Sequence, residues 1–264
     1  MQPIQPKAIE FNGQPIGIGR FPAICAPLVG RTRERLLAEA TSVAAMMPDL
    51  LEWRVDFFEG IADAAEVVSL AGQIRLAARG IPLLFTCRSM REGGQAIALS
   101  EQQIVVLYRA VCASGHVDMV DFEIGNARSH FHEVRELSQA HGVKLIGSFH
   151  DFERTPPFDV LNQRFADAER LGADIAKVAA MPRDMDDVLT LLMATLESSR
   201  SLGIPVVSMS MGGPGALTRL CGWTFGSAMT FAVGESSSAP GQMPIEDVEA
   251  GIAILRRALG QPPA

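Results

Sequence analysis

The run Ile175-Ala176-Lys177-Val178-Ala179-Ala180 places one ammonium in an otherwise apolar stretch. A charged side chain is rarely buried alone, because stripping it of water costs several kcal/mol. Lysine escapes that cost by giving up its proton, and the free amine then attacks carbonyl carbon. Burial and neighbouring cations both favour the amine. The spacing alone also fits a strand-end lysine that snorkels its head to solvent.

Other residues could work with such an amine. In Leu51-Glu52-Trp53-Arg54-Val55-Asp56, alternation puts Glu52 and Arg54 on one face of a strand and the apolar residues on the other. The pair could bind substrate or form a structural ion pair. Arg88 follows the strand Phe85-Thr86-Cys87, and Glu92 lies beside Gly93-Gly94 on a loop free to fold back. Asp121 and Glu123 again share a face. His150, in Gly147-Ser148-Phe149-His150-Asp151, falls just past a strand end, where an imidazole among acids suits proton transfer. Met209 and Met211 could form an apolar wall beside Lys177, or simply fill the core. Arg219 lies further along, and Ser236-Ser237-Ser238-Ala239-Pro240-Gly241-Gln242 is too polar for a core and reads as a mobile loop. Neither metal nor organic cofactor is expected. His130-Phe131-His132 is the close histidine pair, and residues two apart on a helix do not face each other.

The elements that must position these residues alternate along the chain. Candidate strands are Ala23–Leu28, Leu50–Val55, Leu83–Cys87, Val117–Glu123, Lys144–Phe149, Ile175–Ala179, Pro205–Met209 and Ser227–Phe231. Helical patterns cover Arg31–Met47, Ala62–Arg79, Ser100–Ser114, Ser129–His141, Val160–Leu171, Asp184–Leu202, Ala216–Gly222 and Ile245–Leu259. Gly80, Gly142, Gly172 and Gly203 each follow a helical pattern and precede a strand, as stop signals do. Eight such units predict a closed (β/α)8 TIM barrel, with chemistry at the C-terminal ends of the strands. The glycine fingerprints of nucleotide-binding open sheets, GxGxxG and GxxxxGK[ST], are missing. The segment Ala8–Arg20, centred on Asn12-Gly13, predicts a hairpin that caps the bottom of the barrel. No low-complexity linker divides residues 1–264, so a single domain is expected.

A chain of 264 residues, 48% hydrophobic and 20% charged, can build a substantial core. A net charge of −7 and a pI near 5.3 argue against nucleic acid or anionic membrane as partners. No apolar stretch reaches the roughly 18 residues of a bilayer span. The first residues lack the basic-then-apolar pattern of a secretory signal. Cys25, Cys87, Cys112 and Cys221 show no CxxC spacing and read as reduced residues of a cytoplasmic protein.

Taken in order, these segments closely resemble the type I 3-dehydroquinate dehydratases, Schiff-base enzymes of the shikimate pathway. The matching residues are Leu51 to Asp56, Phe85 to Ser89 with Glu92-Gly93-Gly94, Val117 to Asp121, and His150-Asp151-Phe152. Lys177 with Met181-Pro182, Ser208 to Gly212, Arg219-Leu220 and Ser238 to Gln242 complete the set, from about Ile24 to Leu259. The resemblance implies a metal-free (β/α)8 barrel, commonly a homodimer, that takes the small molecule 3-dehydroquinate to 3-dehydroshikimate. It implies that Lys177 forms an imine with the C3 ketone and that His150 removes the C2 proton and protonates the departing hydroxyl. Glu92 would orient the histidine, and Arg219 would hold the ring carboxylate with help from Ser238 and Gln242. Glu52, Arg54 and Arg88 would meet the ring hydroxyls, several cations would help to keep the lysine deprotonated, and Asp121 and Glu123 would balance their charge.

Three positions depart from the family pattern. Ala26 stands where a serine is common, Phe149 replaces a small polar residue before the histidine, and Met211-Gly212-Gly213-Pro214-Gly215 lacks a common lysine. They bear on affinity and loop motion. Two alternatives stay open: another imine-forming barrel such as a class I aldolase, and a non-catalytic barrel that binds a small carboxylic acid.

Overall fold

The computed structural model describes residues 5–11, 13–16 and 21–261. It begins with two short antiparallel strands, β1 (Glu10–Phe11) and β2 (Gln14–Pro15), in register Glu10 to Pro15 and Phe11 to Gln14. Gly13 between them has φ of 73°, a conformation that favours glycine. This is the expected hairpin. Asn12 and positions 17–20 of the predicted segment lie outside the described residues.

Strand and helix then alternate. The first half contains β3 (Ala23–Leu28), α1 (Arg33–Ala45), β4 (Leu50–Arg54), α2 (Ala64–Ala77), β5 (Leu83–Thr86), α3 (Glu101–Ala113), β6 (Met119–Glu123) and α4 (Arg128–Ala140). The second contains β7 (Lys144–Asp151), α5 (Phe158–Arg170), β8 (Ile175–Ala180), α6 (Met185–Ser201), β9 (Val206–Ser210), α7 (Gly212–Cys221), β10 (Met229–Phe231) and α8 (Ile245–Ala258). Strands β3 to β10 are parallel and paired in the order β10-β3-β4-β5-β6-β7-β8-β9. The ring closes where Val206 bridges Ser227 and the Ala228 N–H donates to the Val206 carbonyl at 2.8 Å. The architecture is the expected (β/α)8 barrel. None of the described helices is long and apolar enough to cross a membrane.

Alternation along the strands sorts side chains into two layers. Leu51 and Trp53 of β4, Phe85 of β5, and Val120 and Phe122 of β6 pack outward beneath the helices. There Trp53, Phe85, Tyr108, Phe122 and Phe131 meet edge to face in sequence, with ring centroids 5.3–5.9 Å apart. Facing the axis are Cys25, Leu50, Leu84, Met119, Ile146, Ile175 and Val207, and Ile9 and Ile16 of the hairpin pack against them. The hairpin thus seals the N-terminal end of the barrel, as predicted.

A repeated clasp holds that end. Asp49, Asp118 and Asp174 immediately precede β4, β6 and β8. Each carboxylate accepts the backbone N–H of one residue on the preceding strand: Ile24 at 2.8 Å, Leu83 at 2.7 Å and Leu145 at 2.8 Å. Each aspartate N–H also donates to the carbonyl of that same residue, at 2.8–2.9 Å.

Several boundaries shift by a residue or more, and two of the shifts bear on the site. Strand β7 runs to Asp151, so His150 lies within the strand, paired in register with Ala179, rather than beyond its end. Helix α7 starts at Gly212, because Pro214 falls in the first turn, where a missing N–H costs nothing.

Candidate active site

Lys177 is on β8 between Ala176 and Val178, which face the helices, so its side chain points into the barrel. It is only 4% exposed. Its Nζ lies 3.0 Å from Asp121 Oδ2, 3.7 Å from Glu52 Oε1 and 4.4 Å from the centre of the Phe231 ring. The charges in contact with the ammonium are therefore carboxylates. The expected cations stand further back, with Arg88 reaching Asp121 from its other side.

The neighbouring strands complete the surroundings. Glu52 accepts the Thr86 hydroxyl at 2.9 Å. Arg88 Nη2 donates to Asp121 at 2.8 Å, while its Nη1 reaches Ser148 Oγ at 2.9 Å and Glu123 at 3.3 Å. Ser148 donates to Asp121 Oδ1 at 2.5 Å, and Glu123 accepts from both the N–H and the hydroxyl of Ser89. Burial alone would lift the Asp121 carboxyl, but Arg88 and Lys177 outweigh it and hold it below the usual carboxylate range. Asp121 and Glu123 thus lie behind the cavity wall, with Asp121 touching the lysine directly.

The loop after β5 carries Glu92 in a single 3-10 turn, Met90–Glu92. Glu92 Oε2 accepts the His150 backbone N–H at 2.9 Å and lies 2.8 Å from Nδ1 of its ring. The other ring nitrogen, Nε2, is left for a substrate. Burial holds the imidazole well below its usual pKa of 6.5, and the cations of Arg88 and Lys177 add to that effect. Burial and the nearby Glu123 push the Glu92 carboxyl upward. Such a histidine is neutral and able to take a proton, with Glu92 placed to orient its ring and, when ionised, to steady its charged form.

Arg219 of α7 is 1% exposed. It donates to the carbonyls of Phe231 at 3.2 Å and Pro240 at 3.1 Å, and its Nε has no partner. Among the described residues no carboxylate lies within ion-pair distance of it. Burial lowers its pKa to about 10, which leaves it cationic at neutral pH. A buried guanidinium without a counter-charge is a site for an anion, and its planar fork suits a carboxylate.

These groups line one cavity together with Arg54, Met209, Met211, Ser238 and Gln242. Its empty space, open solvent at the mouth included, is about 430 Å3. The loop Ser236 to Gln242 covers it. Ser238 N–H donates to Gln242 Oε1 at 2.9 Å, and Gln242 Nε2 donates to Ser238 Oγ at 3.2 Å. The two residues expected to greet a substrate therefore also brace each other.

Residues singled out from the sequence for the cavity do line it: Glu52, Arg54, Arg88, Glu92, His150, Lys177, Met209, Met211, Arg219, Ser238 and Gln242. Phe152, Ala179, Phe231 and Ala239 also line it, and sequence reasoning missed them. Phe231 was detectable as the last residue of a strand. Two of the departures prove remote. Ala26 packs in the layer beneath the helices, and Phe149 faces that layer with Arg164 over its ring at 4.6 Å. Neither side chain is available to a substrate in the barrel, so no hydroxyl contact is lost at Ala26.

Known proteins are similar to this chain in sequence and fold. Residues 24–258 match the family described as type I 3-dehydroquinase. A 3-dehydroquinate dehydratase of Albidiferax ferrireducens is 54% identical over 254 residues, 96% of each chain. The crystal structure of 3-dehydroquinate dehydratase from Geobacillus kaustophilus superimposes with a TM-score of 0.93 at 49% identity, covering 97% of this chain and 99% of its own. A type I 3-dehydroquinate dehydratase from Clostridium difficile, solved with covalent modified comenic acid, gives a TM-score of 0.90 at 36% identity, covering 96% and 99%. With nearly its whole length matched in sequence and fold, this chain belongs to the type I 3-dehydroquinase family.

Proposed function

We propose that this enzyme dehydrates 3-dehydroquinate to 3-dehydroshikimate, in the shikimate pathway, by syn elimination through an imine on Lys177. The observation that carries the reading is a shared cavity: a buried lysine, the His150–Glu92 pair and an arginine without a carboxylate partner line the same small space. The dehydratases of A. ferrireducens and G. kaustophilus support the reaction. The covalently modified acid in the C. difficile structure supports a covalent step.

Once its ammonium has passed a proton to a base in the cavity, Lys177 adds to the C3 ketone carbon, and loss of water leaves an iminium. That cation draws electrons from C2 and acidifies its proton, while the carboxylates of Asp121 and Glu52 and the face of Phe231 offset its charge. His150 Nε2 takes the C2 proton, the electron pair forms the C1–C2 double bond, and the C1 hydroxyl leaves as water with the proton from His150. One group serving both steps requires that proton and hydroxyl leave from the same face. Water then hydrolyses the imine and frees Lys177. Arg219 holds the ring carboxylate, with Ser238 and Gln242 adding donors at that end. Glu52, Arg54 and Arg88 meet the ring hydroxyls, and Met209 and Met211 provide the apolar wall. The chain acts as a single domain, as the lack of a dividing linker suggests, in the cytoplasm, as its unpaired cysteine spacing suggests, and as a homodimer, as the family resemblance implies.

Borohydride added with 3-dehydroquinate should leave a reduced adduct on Lys177, read by peptide mass. Wild-type turnover in Lys177→Ala would overturn the mechanism. An absorbance assay for the conjugated product separates dehydration from the carbon–carbon cleavage of an aldolase.

A further inference from the structure

Asp56 follows the strand that carries Glu52 and Arg54, in the short 3-10 turn Val55–Phe57. Its side chain is fully buried, yet it is not part of the cavity wall. Oδ1 accepts Arg54 Nε at 2.8 Å and the Arg88 backbone N–H at 3.3 Å. Oδ2 accepts Arg54 Nη2 at 2.8 Å and the Gln95 backbone N–H at 3.1 Å. Every one of these bonds therefore ends on Arg54 or on the segment from Arg88 to Gln95, which carries Glu92. One edge of the Arg54 guanidinium is held in a bidentate pair, which leaves Nη1 for the cavity mouth, where it donates to the Ser238 carbonyl at 3.3 Å. Phe57, from the same turn, closes the other face of Arg54 at 5.0 Å.

The two backbone donors matter as much. Arg88 and Gln95 are the ends of the segment that carries Glu92. The segment doubles back so tightly that a Cβ on Gly94 would lie 2.0 Å from the Arg88 carbonyl oxygen. One carboxylate can therefore reach both ends.

We propose that Asp56 is a positioning residue for the dehydration reaction. It aims Arg54 at the substrate, and it clamps both ends of the Glu92 segment and so fixes the histidine's carboxylate partner. This rests on the reaction proposed above. The two arms predict separable effects: loss of aim weakens substrate binding through Arg54, whereas a loosened clamp lowers turnover through Glu92.

Asp56→Asn keeps the shape but replaces one accepting oxygen with an N–H2 that faces donors. KM for 3-dehydroquinate should rise by about tenfold, the scale of one charged hydrogen bond. In an Arg54→Ala background the same substitution should leave KM within about twofold, since no guanidinium remains to be aimed, yet still lower kcat. Borohydride should still trap the adduct on Lys177 at saturating substrate. An unchanged KM in Asp56→Asn, or an equal KM effect with and without Arg54, would overturn the inference. If Asp56→Asn does not fold, Arg54→Lys carries the test, because it keeps the charge but cannot form the paired bonds. Its KM should rise similarly, and an unchanged value would also overturn the proposal. Absence of dehydration in the wild-type protein would instead defeat the parent reading.

Discussion

Burial drives the two members of the His150–Glu92 pair in opposite directions, the imidazole to a lower pKa and the carboxyl to a higher one. The imidazolium becomes a stronger acid and the carboxylate a stronger base. For catalysis the depressed imidazole matters most, because a general base must be unprotonated. The acid limb of kcat/KM should therefore lie below pH 6.5, the ordinary imidazole value. A pH–rate profile with its acid midpoint at or above 6.5 would contradict this. The sign for stability follows from the same shift. The unfolded chain takes up this proton near pH 6.5 and the folded chain only lower, so His150 contributes a loss of stability as the pH falls below 6.5. Glu92 acts oppositely, favouring the fold at low pH and ceasing to do so as the pH rises through its raised value. Residue identities in and behind the cavity wall were legible in the sequence, because alternation put Glu52 with Arg54 and Asp121 with Glu123. Contacts were not. That Asp121 touches Lys177, or that Asp56 gathers Arg54, Arg88 and Gln95, depends on strands far apart in the chain. Ala26 and Phe149 looked relevant from their neighbours along the chain, but alternation turns both away from the axis.

The strands and helices were visible as apolar runs and periodic patterns, and the ring of eight followed from their count. The clasps at the strand starts were not. An aspartate before a strand reads as an ordinary turn residue, and its partner lies 25–35 residues away on another strand. The glycine-rich start of α7 was equally hidden, since Gly-Gly-Pro-Gly signals a loop unless the turn after β9 is known to continue as a helix. The clasps have an energetic consequence. Asp118 is buried, and its carboxylate covers the buried N–H of Leu83 at 2.7 Å. Its ion pair with Arg75 contributes little, because that side chain is 41% exposed. Asp118→Ala should therefore cost about 1–3 kcal/mol, the penalty of a buried donor left without an acceptor. Urea unfolding measures it, and a change below about 0.5 kcal/mol would show that water replaces the carboxylate.

The whole molecule divides these tasks between its two ends. At the C-terminal ends of the strands, many charged residues are buried around one cavity at a cost in desolvation that a functional site repays. At the N-terminal ends the axis is filled by apolar side chains, with Ile9 and Ile16 of the hairpin closing it. The two ends share strands and an axial apolar cluster whose upper members Met209, Met211 and Phe231 line the cavity, but Ile9 and Ile16 do not line it, so a defect at the bottom should alter stability and leave chemistry alone. Ile16 is 8% exposed and packs on the axial cluster, and its truncation leaves a void that the rigid ring of strands cannot collapse to fill. Ile16→Ala should cost roughly 2–4 kcal/mol, which at about 2–4 °C per kcal/mol lowers the Tm by roughly 4–16 °C. Below that Tm, KM and kcat for 3-dehydroquinate should stay within about twofold of wild type, as expected for a change at the end of the barrel away from the chemistry. Calorimetry paired with the dehydration assay reads both quantities on one sample. A tenfold fall in kcat at a temperature where Ile16→Ala is still folded would show that the hairpin transmits to the site, and that the barrel does not separate its ends.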